Sequence, residues 1–309
     1  MRSDSGAKID ILLPFYEGET YFPEMLDSLK EQSLMDFRLL VRDDGSRVRL
    51  DRLPELPFPA ELLPSHRHVG VLEAVNELYL QSSAPYLMFC DQDDVWFKSK
   101  VELTLRKMQE AERLYGADTP LLVFTDMSVT DRNLFCLSGS FYNYARINPA
   151  FCSLERLLTQ NVPSACTIMI NRATASLAFP LPPEAVMHDH WLSLCAAAFG
   201  KIVYLDCGTM FYRQHGNNVF GIEPYGVRYL LRMMRRGLKT VRARFLRNVA
   251  QAGAFLERYG DRLDRERAEH VRAFATIARQ GFWRRRYTLL SAGVLKSGFL
   301  RNLGTMLVI

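Results

Sequence analysis

Between residues 9 and 205, short apolar runs of strand length alternate with segments whose apolar residues recur at helical spacing. That alternation restricts the chain to an α/β sheet with mostly parallel strands flanked by helices. The strand-like runs fall at 9–15, 37–41, 62–63, 85–90, 121–125, 167–170 and 201–205. Helices are expected over 22–32, where Phe22, Met25, Leu26 and Leu29 share a face, and over 70–82, 98–115, 154–160 and 188–199. Residues 131–153 are aromatic-rich and aperiodic and read as a loop region beside the site; 210–221 reads as a polar loop.

Charge divides the chain more sharply than periodicity does. Residues 225–309 carry 19 Lys and Arg against 5 Asp and Glu, whereas 1–224 carry 20 against 29. An acidic body, 1–224, is therefore expected to precede a basic helical extension, 225–309. In that extension Leu230, Met234, Leu238, Val241 and Phe245 line one helical face, with Arg228, Arg232, Arg235, Arg236, Lys239 and Arg242 around it. Such a helix suits an anionic membrane surface or an oligomer contact. The six cysteines contain no Cys-x-x-Cys pair, which argues against a zinc site or disulfide framework. No apolar run reaches the roughly 18 residues of a membrane span. The polar stretch 1–8 leads to the expectation of a cytoplasmic protein.

In an open parallel sheet, ligands bind beyond the carboxyl ends of the strands. Three such ends carry polar loops here: Pro14-Phe15-Tyr16-Glu17, Asp43-Asp44-Gly45-Ser46 and Asp91-Gln92-Asp93-Asp94. Three carboxylates within one short loop suit a hard divalent cation, Mg²⁺ or Mn²⁺, that keeps open positions for phosphate oxygens. Neither a Gly-x-Gly-x-x-Gly turn nor a Gly-Lys-Ser/Thr loop is present, which argues against a dinucleotide dehydrogenase and a P-loop enzyme. A metal is left to handle a diphosphate. The basic extension lacks a nucleic-acid reading motif.

Together these motifs resemble an inverting family 2 glycosyltransferase of the GT-A fold, Rossmann-like, closest to the bacterial rhamnosyltransferase-like branch, over residues 9–221. The resemblance implies that Pro14, Tyr16, Glu17, Asp43 and Asp44 hold the nucleoside, with a carboxylate accepting from a pyrimidine N3–H or ribose hydroxyl. Arg67, His68, Gly70 and Asn76 match the turn and helix that complete the donor pocket. Asp91 and Asp93 form the Asp-x-Asp pair, Asp93 as direct metal ligand and Asp91 towards the ribose; Asp94-Val95-Trp96 marks the branch. Residues 161–172 match a pocket-shaping segment in which Ala165 stands where the family has Gly. His188-Asp189-His190-Trp191 places Asp189 as the general base. In the segment Tyr212-Arg213-Gln214-His215-Gly216-Asn217-Asn218, His215 would complete the metal shell and Arg213 pair with a phosphate.

The implied reaction moves a sugar, rhamnose or similar, from a dTDP or UDP donor to a glycan hydroxyl in bacterial surface polysaccharide synthesis. The acceptor is expected on a polyprenyl diphosphate carrier at the inner face of the cytoplasmic membrane, with Mn²⁺ or Mg²⁺ as cofactor. The competing reading is a non-catalytic nucleotide-binding protein on a retired scaffold. A nucleotidyltransferase is disfavoured because residues 14–18 offer no Gly-rich, basic triphosphate loop.

Overall fold

The computed structural model describes residues 6–63, 65, 67–215 and 227–309, without the side chains of 227–238. Its sheet contains β1 (Ile9–Phe15), β2 (Phe37–Asp43), β3 (Ala60–Leu63), β4 (Tyr86–Phe89), β5 (Val95–Trp96), β6 (Leu121–Thr130), β7 (Cys136–Ser138), β8 (Ile168–Asn171) and β9 (Lys201–Arg213). The order is β3-β2-β1-β4-β8-β6-β9-β5, with β7 hydrogen-bonded to β6. Strands β1 to β4 run parallel, as do β6 and β9; β8, β5 and β7 run against them. The mostly parallel α/β architecture expected from the sequence is therefore present.

Parallel strands covered on both faces read as unbroken apolar runs, and β1 and β2 are buried almost throughout. Their one charged cross-strand pair explains itself. Asp10 lies in register with Arg38 on β2, their side chains meet at 2.9 Å, and the N–H groups of Ser83 and Ala84 also donate to Asp10. A buried ion pair of this kind survives because both partners are hydrogen-bonded.

Helices α1 (Phe22–Lys30), α2 (Val71–Gln81), α3 (Lys100–Tyr115), α5 (Leu154–Leu157) and α7 (His188–Phe199) lie where helical spacing places them. Three segments correct the sequence reading. β6 continues five residues past the expected end and β9 reaches Arg213, so the first four residues of the expected polar loop are strand. These two strands pair in parallel as far as Thr130 and Arg213, but register shifts between Thr125 and Ser128 reset the side-chain alternation. The aromatic segment 131–153 holds β7 and α4 (Phe141–Ala145), where Phe141 and Tyr142 are buried and Tyr142 packs edge-on against Phe124 and Tyr204. Between β8 and α7 lies the short α6 (Arg172–Ala178), capped by Asn171, whose side chain accepts from Thr174 N–H.

The C-terminal part is helical: α8 (Val227–Tyr259), α9 (Arg265–Ala275), α10 (Phe282–Ser291) and α11 (Phe299–Val308). Phe245, Val249, Ala252, Phe255 and Tyr259 of α8 join the same buried cluster as the sheet. Phe255 meets Trp191 of α7 edge-on at 5.5 Å. On the expected basic amphipathic face, Phe245 is buried, whereas Leu230, Met234, Leu238 and the arginines at 228, 232, 235 and 236 lie outside the described side chains. Among the described residues, no helix is long and apolar enough to cross a membrane.

Candidate active site

The loops after β1, β2 and β4 meet at the carboxyl edge of the sheet and are tied by hydrogen bonds. Gln92 accepts from Tyr16 N–H at 2.8 Å and donates to the Tyr16 carbonyl at 2.7 Å. Ser46 Oγ accepts from Glu17 N–H at 2.9 Å, and Asp44 N–H donates to the Phe15 carbonyl at 2.7 Å. Glu17 adopts a left-handed φ of 50° and pairs with Arg47 at 3.1 Å, which holds its carboxyl below the usual range. Gly45 is required: its φ is +82°, and a Cβ there would lie 2.7 Å from the His68 backbone nitrogen.

Asp43 and Asp44, expected to receive the nucleoside, spend most of their acceptor positions within the protein. Burial raises the Asp43 carboxyl, but donors from Ser46 and Leu50 outweigh it and hold the group low. Asp44 accepts from Arg42 and from the N–H groups of Val69 and Gly70 at 2.9 Å each, while His68 Nδ1 lies 3.0 Å from the Asp44 backbone carbonyl. A carboxylate has about four acceptor positions, and these contacts fill three of them. The two residues brace the pocket wall and fix Gly70 (φ +85°), the N-cap of α2. Asn76 departs from expectation similarly: its amide bonds both the N–H and the carbonyl of Leu181, at 2.8 and 3.1 Å, clamping the segment that leads into α7. Exposed groups at the mouth include Arg67, His68 and the ring of Tyr16, which lies 4.6 Å from the His68 ring. Pro14 lies one residue before the end of β1, at the same edge.

The acidic loop is held from behind. Arg213, expected to pair with phosphate, is buried: its backbone N–H donates to Asp94, and its guanidinium donates to the carbonyls of Asp93 and Arg132 and to Glu24. It positions the loop. His215 Nε2 meets Asp93 Oδ2 at 2.6 Å, while Gly216, Asn217 and Asn218 lie outside the described residues. Asp91 is pushed up to about 7, first by burial and then by the charges of Asp93 and Asp189.

These groups fit a divalent cation. The carboxylates of Asp91 and Asp94 and the thiol of Cys166 lie within 4.8 Å of one another, and the buried Asp94 Oδ2 has no hydrogen-bond partner. Burial pushes the Cys166 thiol well up, so it offers a neutral sulfur and not the oxygen that Mg²⁺ or Mn²⁺ prefers. The expected set Asp91, Asp93 and His215 is not gathered into such a cluster among the described residues; of its members, Asp93 Oδ2 and His215 Nε2 stand 2.6 Å apart. Mutual repulsion among clustered carboxylates is what a cation would relieve.

Asp189 sits in the first turn of α7, two residues after the N-cap Met187, so it is not the cap itself. Its carboxylate accepts from Ala165 N–H at 3.2 Å and from His190 N–H at 2.6 Å. Burial nevertheless pushes it up to about 6. Ala165, standing where Gly was expected, is not among the positive-φ residues, so an ordinary side chain is tolerated there. His188 and His190 are buried, and desolvation lowers both to about 4.

One residue was missed. Lys100 is fully buried at the start of α3, donates to Thr209 Oγ at 3.1 Å, and lies 4.8 Å from the Trp96 ring. Burial lowers it to about 8, while Cys166, Cys90 and Asp94 act to raise it. The signal was legible: Lys100 shares the apolar face of α3 with Thr104, Met108 and Ala111.

Residues 10–134 match the family described as Glycosyl transferase family 2. The chain carries a family 2 glycosyltransferase domain. It is 28% identical over 205 residues to the Escherichia coli UDP-Glc:alpha-D-GlcNAc-diphosphoundecaprenol beta-1,3-glucosyltransferase WfgD, covering 65% of this chain and 74% of that one. The dTDP-rhamnosyl transferase RfbG of Shigella flexneri is 24% identical over 229 residues, 67% and 72% of the two chains. The structure of S. aureus TarS 1–349 in complex with UDP superimposes with a TM-score of 0.55 at 16% identity, over 87% of this chain and 70% of that one, which establishes the shared GT-A fold. Two further glycosyltransferase relatives, from Haemophilus influenzae and Rickettsia bellii, are spanned over only 35% and 16% of their lengths. The glycosyltransferase family match takes in all three loops of the acidic edge; Asp189 and His215 lie beyond it.

Proposed function

We propose that this glycosyltransferase transfers a sugar, rhamnose or a similar hexose, from a dTDP or UDP donor to a glycan hydroxyl, with inversion. The observation that carries this reading is Asp189, held at about 6 on the first turn of α7 and close enough to Asp91 for their charges to interact. A base poised near the working pH, beside an acidic loop, suits deprotonation of an acceptor hydroxyl. As the acceptor oxygen bonds to the anomeric carbon, the bond to the diphosphate oxygen breaks and the hydroxyl proton passes to Asp189. Attack opposite the leaving group inverts the centre.

Asp93, His215 and Asp91 would hold Mn²⁺ or Mg²⁺, which when bound neutralises the charge of the diphosphate. The backbone at Pro14 and Glu17, the exposed Tyr16 ring, Arg67 and Asp91 are assigned to the nucleoside and ribose. Asp43, Asp44, Gly70, Asn76 and Arg213 act by positioning. Residues 1–224 form the catalytic unit and 225–309 the extension. Distant likeness to RfbG and WfgD supports bacterial surface polysaccharide, O-antigen or capsule, as the product, with the acceptor on a polyprenyl diphosphate carrier at the inner membrane face.

Calorimetric titration with dTDP, UDP and GDP in the presence of Mn²⁺ tests the donor site. One nucleotide should bind only with metal, and Asp93→Ala should lose that binding. Failure of all three to bind would return the chain to the non-catalytic reading.

A further inference from the structure

The last two helices turn apolar stripes to water. On α10, Trp283, Tyr287 and Leu290 recur at i, i+4 and i+7 and are 79%, 72% and 56% exposed. On α11, Phe299, Leu303 and Leu307 recur at i, i+4 and i+8 and are 77%, 43% and 68% exposed. The helices are joined, since Arg286 of α10 donates to the Met306 carbonyl of α11. Exposed single hydrophobic residues are ordinary, but two adjoining helices each with an uncovered stripe need a partner.

We infer that α10 and α11 form the seat by which the chain lies on an anionic lipid surface. Charge selects the occupant. Residues 270–309 contain seven Lys and Arg and no Asp or Glu, and Arg279 and Arg284 are exposed on and beside α10. Basic side chains around an apolar stripe attract anionic headgroups at about 1 kcal/mol each near the surface. Trp and Tyr are the residues that favour the headgroup level, with an apolar body and a polar tip. A second copy of the chain fits less well, because a two-fold contact would bring the same arginines against one another.

The seat is fixed to the end of α4 and to the segment that follows α5. Arg301 donates to the Ala145 and Arg146 carbonyls, and Ser297 bonds Gln160 at 2.7 Å and Asn148 at 3.2 Å. The next residue, Asn161, donates to the Pro163 carbonyl at 2.7 Å and lies near enough to Asp189 to act on its carboxyl. A membrane under α10 and α11 would therefore adjoin the wall beside the proposed base. This deepens the reading of a lipid-carried acceptor and rests on it only for that adjacency.

Of the three tryptophans, Trp96 and Trp191 are buried, so a shift in emission on contact with lipid reports on the exposed Trp283. The full chain is mixed with vesicles of phosphatidylcholine alone or phosphatidylcholine with phosphatidylglycerol. Tryptophan emission should shift to the blue and the protein should float with the anionic vesicles only. Trp283→Phe should abolish the shift but still float. Trp283→Glu combined with Leu307→Glu should weaken flotation at least about tenfold, as expected for placing charge in apolar contact, with melting temperature and nucleotide binding unchanged. Absence of both shift and flotation, or full flotation of the double variant, would overturn the inference. So would lipid-free self-association that the double variant abolishes, since it assigns the stripes to a second copy. Flotation that persists while nucleotide binding is absent would count against the donor reading alone.

Discussion

A carboxyl becomes a useful base at Asp189 because burial raises it while two backbone N–H groups keep it from rising further. Asp189→Asn should retain nucleotide binding and lower turnover by about 10²- to 10⁴-fold, the usual range for a general base; an unchanged kcat would remove the assignment. The base works only when ionised, so kcat/KM should fall as pH drops through about 6, the value to which Asp189 is raised. The variant's residual activity should lack that limb. Behind the acidic loop, Lys100 is a buried cation beside Asp94 and two thiols. Lys100→Met keeps the volume and removes the charge. It should weaken Mn²⁺-dependent nucleotide binding about tenfold, in the range seen when a residue supporting a metal site is lost, with titration calorimetry as the check.

Among the elements, α2 and α7 are coupled through Asn76, whose amide satisfies both backbone groups of Leu181. Asn76→Ala leaves those groups unpaired in a buried place and should cost about 1–3 kcal/mol, measurable by urea unfolding. Turnover should fall more than nucleotide affinity, because the displaced segment leads to Asp189 and not to the donor loops. How much of each element was legible depended on what ended it. Strand β1 and helix α7 match the sequence expectation residue for residue, since one is an unbroken apolar run and the other an apolar helix bounded by Gly200. β6 and β9 were read short because register shifts after Thr125 break the alternation that reveals a strand.

At the scale of the whole molecule, the basic extension is bound to the body through its core. Phe255 and Tyr259 of α8 pack on Trp191 of α7, and Phe245 and Val249 continue the same cluster. Deleting residues 240–309 should therefore expose the back of the helix that bears Asp189 and give a chain without native near-ultraviolet circular dichroism. A soluble, fully folded 1–239 fragment would show instead that the extension is dispensable. The sequence by itself determined the α/β class, the acidic loop, Asp189 at a helix start and the charge division, because each is written in local spacing and composition. Only the tertiary structure decided that Asp44, Asn76 and Arg213 spend polar groups on distant backbone, that Lys100 stands behind the acidic loop, and that α10 and α11 leave apolar stripes uncovered. Those outcomes depend on which donors, acceptors and faces meet across segments far apart in the chain, and no local pattern of residue types encodes such pairings.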